Sequence, residues 1–247
     1  MPSKAFAYRD FHAASSIEGR YMESENWTSV ADWPREWLDI TFKTYPRMPR
    51  VPLPDEEWHS RLSLQQALLE RSSGRTNVEE DLPLRSLSTL LREAMRIKPT
   101  EVDPGSRRVY PSAGARFPVE AYLVANRCEG VASGLYHYRP FDHSLEQLTV
   151  GPQREQLLKV FGHDWIADSR CVILLSGELS RSAVKYGDRA YRFSLIEAGH
   201  VMHNFLLIGT DLDVAVTPIG GFADDRMHRF LGFGPTEEHV LYSAVLS

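Results

Sequence analysis

The chain has 247 residues, 43% of them hydrophobic and 25% charged, with a formal net charge of −5. That length suits one large domain, or one domain with an arm, and the apolar content supports a packed core, while the acidic balance argues against a nucleic-acid partner. No stretch reaches the roughly 18 apolar residues of a membrane span, "MPSKAFAYRDFH" lacks a signal sequence, and Cys128 and Cys171 are too few for a disulfide scaffold, so a cytoplasmic protein is expected.

Residues 1–60 hold four of the five tryptophans, Trp27, Trp33, Trp37 and Trp58, and the proline-rich "YPRMPRVPLP" at 45–54. This predicts an arm packed on a surface by aromatic and proline anchors, ahead of a main domain over 61–247. "SLQQALLER" (63–71) reads as a helix, with Leu64 and Leu68 four apart. "SLSTLLREAMRI" (86–97) reads as a second, capped by Ser86, with Leu87, Leu90, Leu91 and Ala94 on one face. A strand follows in which Val119, Ala121, Leu123 and Ala125 alternate with Glu120, Tyr122 and Val124. "GLYHYRP" (134–140) and "SLEQLTV" (144–150) form a hairpin across "FDH". A helix over 153–161 leads to the apolar run 170–176, which suits a buried central strand. A long helix over 190–208, a strand over 212–218, a short helix over 224–232 and a last strand over 239–246 complete an α+β fold with helices around one sheet.

Nucleotide fingerprints of the GxGxxG and GxxxxGK[ST] kinds are absent, as are HExxH and GxSxG. Several weaker patterns remain. Arg71, Ser73 and Arg75 in "ERSSGR" suit a phosphate, although basic residues also complement the carbonyls of a solvated helix end. "TPIGGF" (217–222) lets main chain approach a planar ligand, or is simply a tight turn. Glu197 and His200 have Glu-x-x-His spacing, but a helical iron site needs a second copy and further carboxylates, so packing is the simpler reading. Lys185 and Tyr186 are helical neighbours that converge only if the backbone breaks, which Gly187 permits. "PSAGAR" places small residues directly before a buried strand, where backbone can come close to something flat.

Together, "RSSGR", "YPSAGARFPVEAYLV", "GLYHYRPFDHSLEQL", "KYGDRAYR", "IEAGHVMHNFLLIG" and "TPIGGF" resemble, in sequence and order, the SagB/McbC-type dehydrogenases of the nitroreductase superfamily. The resemblance spans roughly residues 60–247. It implies a nitroreductase-like fold with a central mixed or antiparallel sheet, an intertwined homodimer, and FMN bound at the subunit interface. On that resemblance Arg71, Ser73 and Arg75 hold the flavin phosphate. Pro111, Ser112, Ala113 and Gly114 lie along the isoalloxazine, usually from the second subunit. Ile219, Gly220 and Gly221 form the loop over the ring, and Lys185 and Tyr186 are the catalytic pair of azoline oxidases. The C-terminal "HVLYSAVLS" departs from many nitroreductases in carrying no Arg or Lys for the phosphate. The implied activity is oxidation of a thiazoline or oxazoline to the azole on a modified peptide or carrier-linked substrate, with a cyclodehydratase complex as partner. The alternatives are an NAD(P)H-dependent nitro or quinone reductase and a flavin-bearing scaffold subunit.

Overall fold

The computed structural model describes residues 7–16, 34–38, 42–74, 79–98, 107–234 and 238–247. Trp27, Trp33 and Arg75 fall outside them. The elements are α1 (Tyr8–Ala14), α2 (Arg35–Leu38), β1 (Arg50–Pro52), α3 (Leu64–Glu70), α4 (Leu84–Met95), β2 (Val119–Ala125), β3 (Gly134–Arg139), β4 (Ser144–Val150), α5 (Arg154–Phe161), α6 (Asp164–Ala167), β5 (Cys171–Glu178), α7 (Ser180–Tyr186), α8 (Arg189–Asp211), β6 (Val216–Ile219), α9 (Asp224–Leu231) and β7 (Glu238–Leu246). The strands form one seven-stranded sheet in the order β1-β4-β3-β2-β5-β7-β6. Every pairing between them is antiparallel.

Both faces of the sheet are covered, and this explains the sequences of its central strands. All of β2 is buried, as is β5 up to Gly177. Alternation along β2 therefore sorts side chains between two covered faces rather than between core and water. On one face Val119, Ala121 and Leu123 meet Leu87, Leu90 and Leu91 of α4 and Val201, Met202 and Phe205 of α8. On the other, Tyr122, Val124, Val172 and Leu174 meet Leu157 and Val160 of α5 and Met227 and Leu231 of α9.

Several boundaries differ from the sequence expectation. The second helix starts at Leu84 with Pro83, not Ser86, at its cap, because the ring holds φ near the helical value (−57°). Helix α8 runs on to Asp211, and the strand expected from 212 starts at Val216. Asp213 reverses the chain with a φ of 54°, and the Val214 amide returns to the Gly209 carbonyl at 2.9 Å. The proline-rich segment contributes β1, whose Pro52 sits on the sheet edge, where a missing N–H is tolerated. Residues 58–62 are tied to the end of α8: the Asp211 carboxylate accepts from Trp58 Nε1 (3.1 Å), Ser60 Oγ (2.9 Å) and the amides of Arg61 (2.8 Å) and Leu62 (2.7 Å).

The second face is not apolar throughout. At the Glu120 end of β2 it carries a buried polar sector. His137 lies between two carboxylates, with Nδ1 2.9 Å from Glu146 and Nε2 3.2 Å from Glu120. Glu146 also accepts from the Thr44 hydroxyl and the Tyr45 amide, both at 2.9 Å. Glu238 accepts from Ser176 Oγ (2.7 Å) and Tyr122 Oη (3.0 Å) and pairs with Lys43. Burial opposes the charge on Glu120, but the Arg181 guanidinium and the His137 hydrogen bond hold its pKa at about 2. Burial likewise opposes the charge on Glu146, and His137, the Tyr45 amide and Thr44 hold it at about 2. Burial pushes His137 down, yet its two carboxylate partners raise it above the ordinary imidazole value.

The folded values of both carboxylates lie below the ordinary 4.5, so their stabilisation is complete above that pH and is lost as pH falls through 4.5 toward about 2. The urea midpoint should drop over that interval, and Glu120→Gln should flatten the acid limb. A midpoint that stays level on acidification rules out this pairing.

Candidate active site

Helix α7 follows β5 and stops where Gly187 takes a φ of 52° and a ψ of −139°. Lys185 and Tyr186 are its last two residues, so the glycine break occurs where the sequence expects it. The Tyr186 ring meets Phe193 of α8 edge-on, with centroids 5.0 Å apart. Lys185 Nζ lies 5.3 Å from the Trp37 ring centroid and 5.5 Å from that of Tyr186. Burial lowers the Lys185 pKa, and the charge of Arg116 lowers it further. The aromatic faces act in the other direction and favour the ammonium form.

Arg116 is buried, with Nε donating to the Arg181 carbonyl (2.7 Å) and Nη1 to the Trp37 carbonyl (2.8 Å). It therefore joins α2, α7 and the turn before β2. Trp37 Nε1 completes the corner by donating to the Val184 carbonyl at 3.1 Å.

The turn from Ser112 to Ala115 packs against Tyr186. Gly114 has a φ of 60°, and a Cβ there would lie 2.5 Å from the Tyr186 hydroxyl oxygen. Ala115 and Phe117 also have positive φ, at 53° and 49°. What holds this costly backbone is Ser112: its hydroxyl accepts from the Phe117 amide at 2.9 Å and hydrogen-bonds Glu197 of α8. Glu197 also accepts from the Val119 amide (3.3 Å). Burial raises the Glu197 pKa to about 7 against the pull of Ser112, Val119, Arg108 and Arg181. Glu197 thus supports the turn, while His200 and His203 are exposed. Among the described residues no group of three His, Cys, Asp or Glu side chains is placed to hold a metal.

A second cluster forms at the β6 edge of the sheet. Arg71 and Ser73 follow α3, and the Gly74 carbonyl accepts from Thr217 Oγ1. This lays the Arg-x-Ser segment beside β6, which leads into Gly220 and Gly221. Ser243 Oγ donates to the Ile219 carbonyl at 2.8 Å and fixes the strand end. Both glycines are exposed, and a Cβ at either would meet no atom within 4 Å. A half-buried guanidinium and an exposed hydroxyl beside bare backbone suit a phosphate-bearing planar cofactor, so these residues fit FMN.

One chain thus brings Pro111–Gly114 together with Lys185 and Tyr186, and separately Arg71 and Ser73 with Ile219–Gly221. β7 and β5 lie between β6 and β2, so the clusters are offset by three strand spacings, roughly 14 Å. Apolar side chains stand open on two helices: Leu64, Leu68 and Leu69 on α3, and Leu195 and Ile196 on α8, with Leu69 79% and Ile196 55% exposed. The sequence reading missed Arg116 and Glu197 as site residues. Arg116 stood in the open, inside "PSAGAR"; Glu197 was visible only as half of a metal spacing.

The nitroreductase family model matches residues 68–246. The chain belongs to the nitroreductase family, a class of oxidoreductases whose members typically bind flavin. A protein of Methanocaldococcus jannaschii named as a nitroreductase is 32% identical over 73% of this chain and 88% of its own length. The microcin B17-processing protein McbC of Escherichia coli is 28% identical over 60% of this chain, which spans only 56% of that relative. Among solved structures, a nitroreductase from Anabaena variabilis aligns with a TM-score of 0.73 at 24% identity, covering 97% of this chain and 46% of that one. The E. coli microcin synthetase McbBCD complex with bound truncated pro-MccB17 aligns with a TM-score of 0.60 at 20% identity, covering 97% of this chain and 91% of that one. A Staphylococcus epidermidis protein named as an NAD(P)H:FMN oxidoreductase aligns at 0.55 and 11% identity, covering 78% of this chain and 89% of that one. The three structures share the fold. No helix among the described residues is long and apolar enough to cross a membrane.

Gly114→Ala should cost about 1–2 kcal/mol, from positive φ and the contact with Tyr186. Tyr186→Phe should relieve part of it, giving a coupling of about 0.5 kcal/mol or more in a double-mutant cycle by urea unfolding. Strict additivity would separate the turn from Tyr186.

Proposed function

We propose that two copies of this chain bind FMN between them and oxidise a thiazoline or oxazoline, carried on a modified peptide or carrier, to the aromatic azole. The observation that carries this reading is the placement of Lys185 at the broken end of α7, within reach of the Arg116 charge and beside Tyr186, whose hydroxyl meets Gly114 of the Ser112–Gly114 turn. An ordinary lysine, with a pKa near 10.4, is neutral at pH 7 in roughly one molecule per 2,500. Burial and the Arg116 charge enlarge that fraction, so Lys185 Nζ can accept the proton leaving the azoline α-carbon. Tyr186, fixed by Phe193 and Gly114, orients the ring or passes the proton on. When bound, FMN supplies the acceptor for the hydride leaving the adjacent carbon. Arg71 and Ser73, with Arg75, hold its phosphate; Ile219–Gly221 and Pro111–Gly114 border its ring system. The McbC relative, named for microcin B17 processing, supports a peptide substrate, and the McbBCD likeness supports a cyclodehydratase complex as partner.

Separation of the two clusters within one chain supports a dimer whose sites each draw on both copies. The open leucine and isoleucine surface of α3 and α8 is the kind of face a second copy covers. The M. jannaschii relative, named as a nitroreductase, favours a second reading, a reductase fed by NAD(P)H. Rapid bleaching of the flavin by NAD(P)H would support it.

Lys185→Ala should remain yellow and FMN-bound yet lose a hundredfold or more in azoline oxidation, on the order of the cost of removing a general base. The assay is mass loss of two hydrogens per ring. Near-normal turnover removes Lys185 from the chemistry. Ile196→Asp should shift the protein from dimer to monomer in light scattering and release the flavin; a monomeric wild type would overturn the shared site.

A further inference from the structure

We propose that Arg181 is a positioning residue for the Lys185–Tyr186 pair, seated by Glu120 and, through it, by His137 and Glu146. This rests on the reading of that pair given above. Helix α7 has seven residues, too few to be stable by its own hydrogen bonds. Its orientation must come from what it grips. Arg181 lies one turn before Lys185, at the i,i+4 spacing that puts two side chains on one helix face. Two like charges there oppose helix formation, so the buried guanidinium needs an anion elsewhere. It finds Glu120 Oε1 at 2.5 Å, while Nη1 donates to the Phe117 carbonyl at 2.9 Å. Both acceptors belong to the segment that leaves the Ser112–Gly114 turn and enters β2. The same fork therefore fixes α7 relative to the turn that Tyr186 touches.

Glu120 is itself held from turning. Its other oxygen meets His137 Nε2, whose Nδ1 meets Glu146, and Glu146 ends on Thr44 and Tyr45. The Arg181 main chain is gripped too, because its carbonyl accepts from Arg116 Nε. Arg116 is the cation whose charge reaches Lys185. Side chain and carbonyl of one residue thus connect the base to the sheet by two routes. None of Glu120, His137 or Glu146 has a part in the proposed chemistry, and all three are buried.

The test compares wild type with Glu120→Gln. Lys185 is titrated by competitive amine labelling across pH, read by peptide mass spectrometry, which requires no substrate. The sign of the change is diagnostic. Loss of a negative charge alone lowers the lysine midpoint. Release of α7 from burial and from Arg116 raises it. We expect an upward shift toward an ordinary lysine. Turnover should fall on the order of tenfold to a hundredfold, with KM and flavin content held, as a small misplacement of a reacting group produces. Arg181→Lys, which keeps the charge and loses the fork, should show a smaller shift of the same sign and carries the comparison where Glu120→Gln does not fold. A midpoint that stays or moves down in the folded variant overturns the proposal. If wild type oxidises no azoline, the assigned function fails while the labelling result still stands.

Discussion

A sheet covered on both faces imposes the condition on which this structure depends: a polar side chain leaving a central strand must find its partner inside the protein. β2 carries Glu120 at the point where its second face stops being apolar. An unpaired carboxylate there would be costly. The Arg181 fork satisfies it, and in doing so joins the sheet to a helix with almost no core of its own. Buried ion pairs contribute little net stability over apolar replacements, because desolvation cancels most of the attraction. Their better-attested contribution is to fix one arrangement among several. That is the need here, since α7 is too short to define its own direction.

The surroundings of Lys185 balance two effects. Two aromatic faces at 5.3 and 5.5 Å favour the ammonium form by about 0.5–1 kcal/mol each at partly exposed sites. Desolvation and a guanidinium favour the amine. Arg116 makes the repulsion dependable. Its Nε and Nη1 donate to the carbonyls of Arg181 and Trp37, neutral acceptors that leave its charge in place. A mobile cation would be screened or swing away; this one is bonded to the same corner that positions the lysine.

Long periodic segments declared themselves in the sequence. The helices over 63–71 and 153–161, the strand at 119–125, the hairpin and the apolar strand 170–176 follow from spacing alone. The short elements did not. "SRSAVKYG" has no apolar stripe, because α7 is held by Arg181 and Arg116 rather than by a buried face. Tertiary context also decided the fates of individual residues. Glu197 reads as half of an iron motif until the fold places it beneath Ser112. Arg116 reads as one basic residue among many until two carbonyls close around it. The contact of Tyr186 with Gly114 was hidden as well, since it joins segments some 70 positions apart through a helix the spacing does not show. Glycine at 187 was readable as a break, and the helix stops there.

The glycines divide by what demands them. Gly114 is required within its own chain, by positive φ and by the Tyr186 hydroxyl. Gly220 and Gly221 are required by nothing of that kind: neither has positive φ, and space is open where a side chain would stand. A side chain there would cost the described residues nothing. Glycine is nevertheless entropically expensive in the unfolded chain, so its presence twice in succession needs a cause outside those residues. Close approach of something flat is such a cause. Thr217, three residues earlier, donates to the Gly74 carbonyl, so the Arg-x-Ser segment lies beside the strand that leads into the two glycines. Such a bare, exposed strand end is what the proposed FMN site requires of this segment.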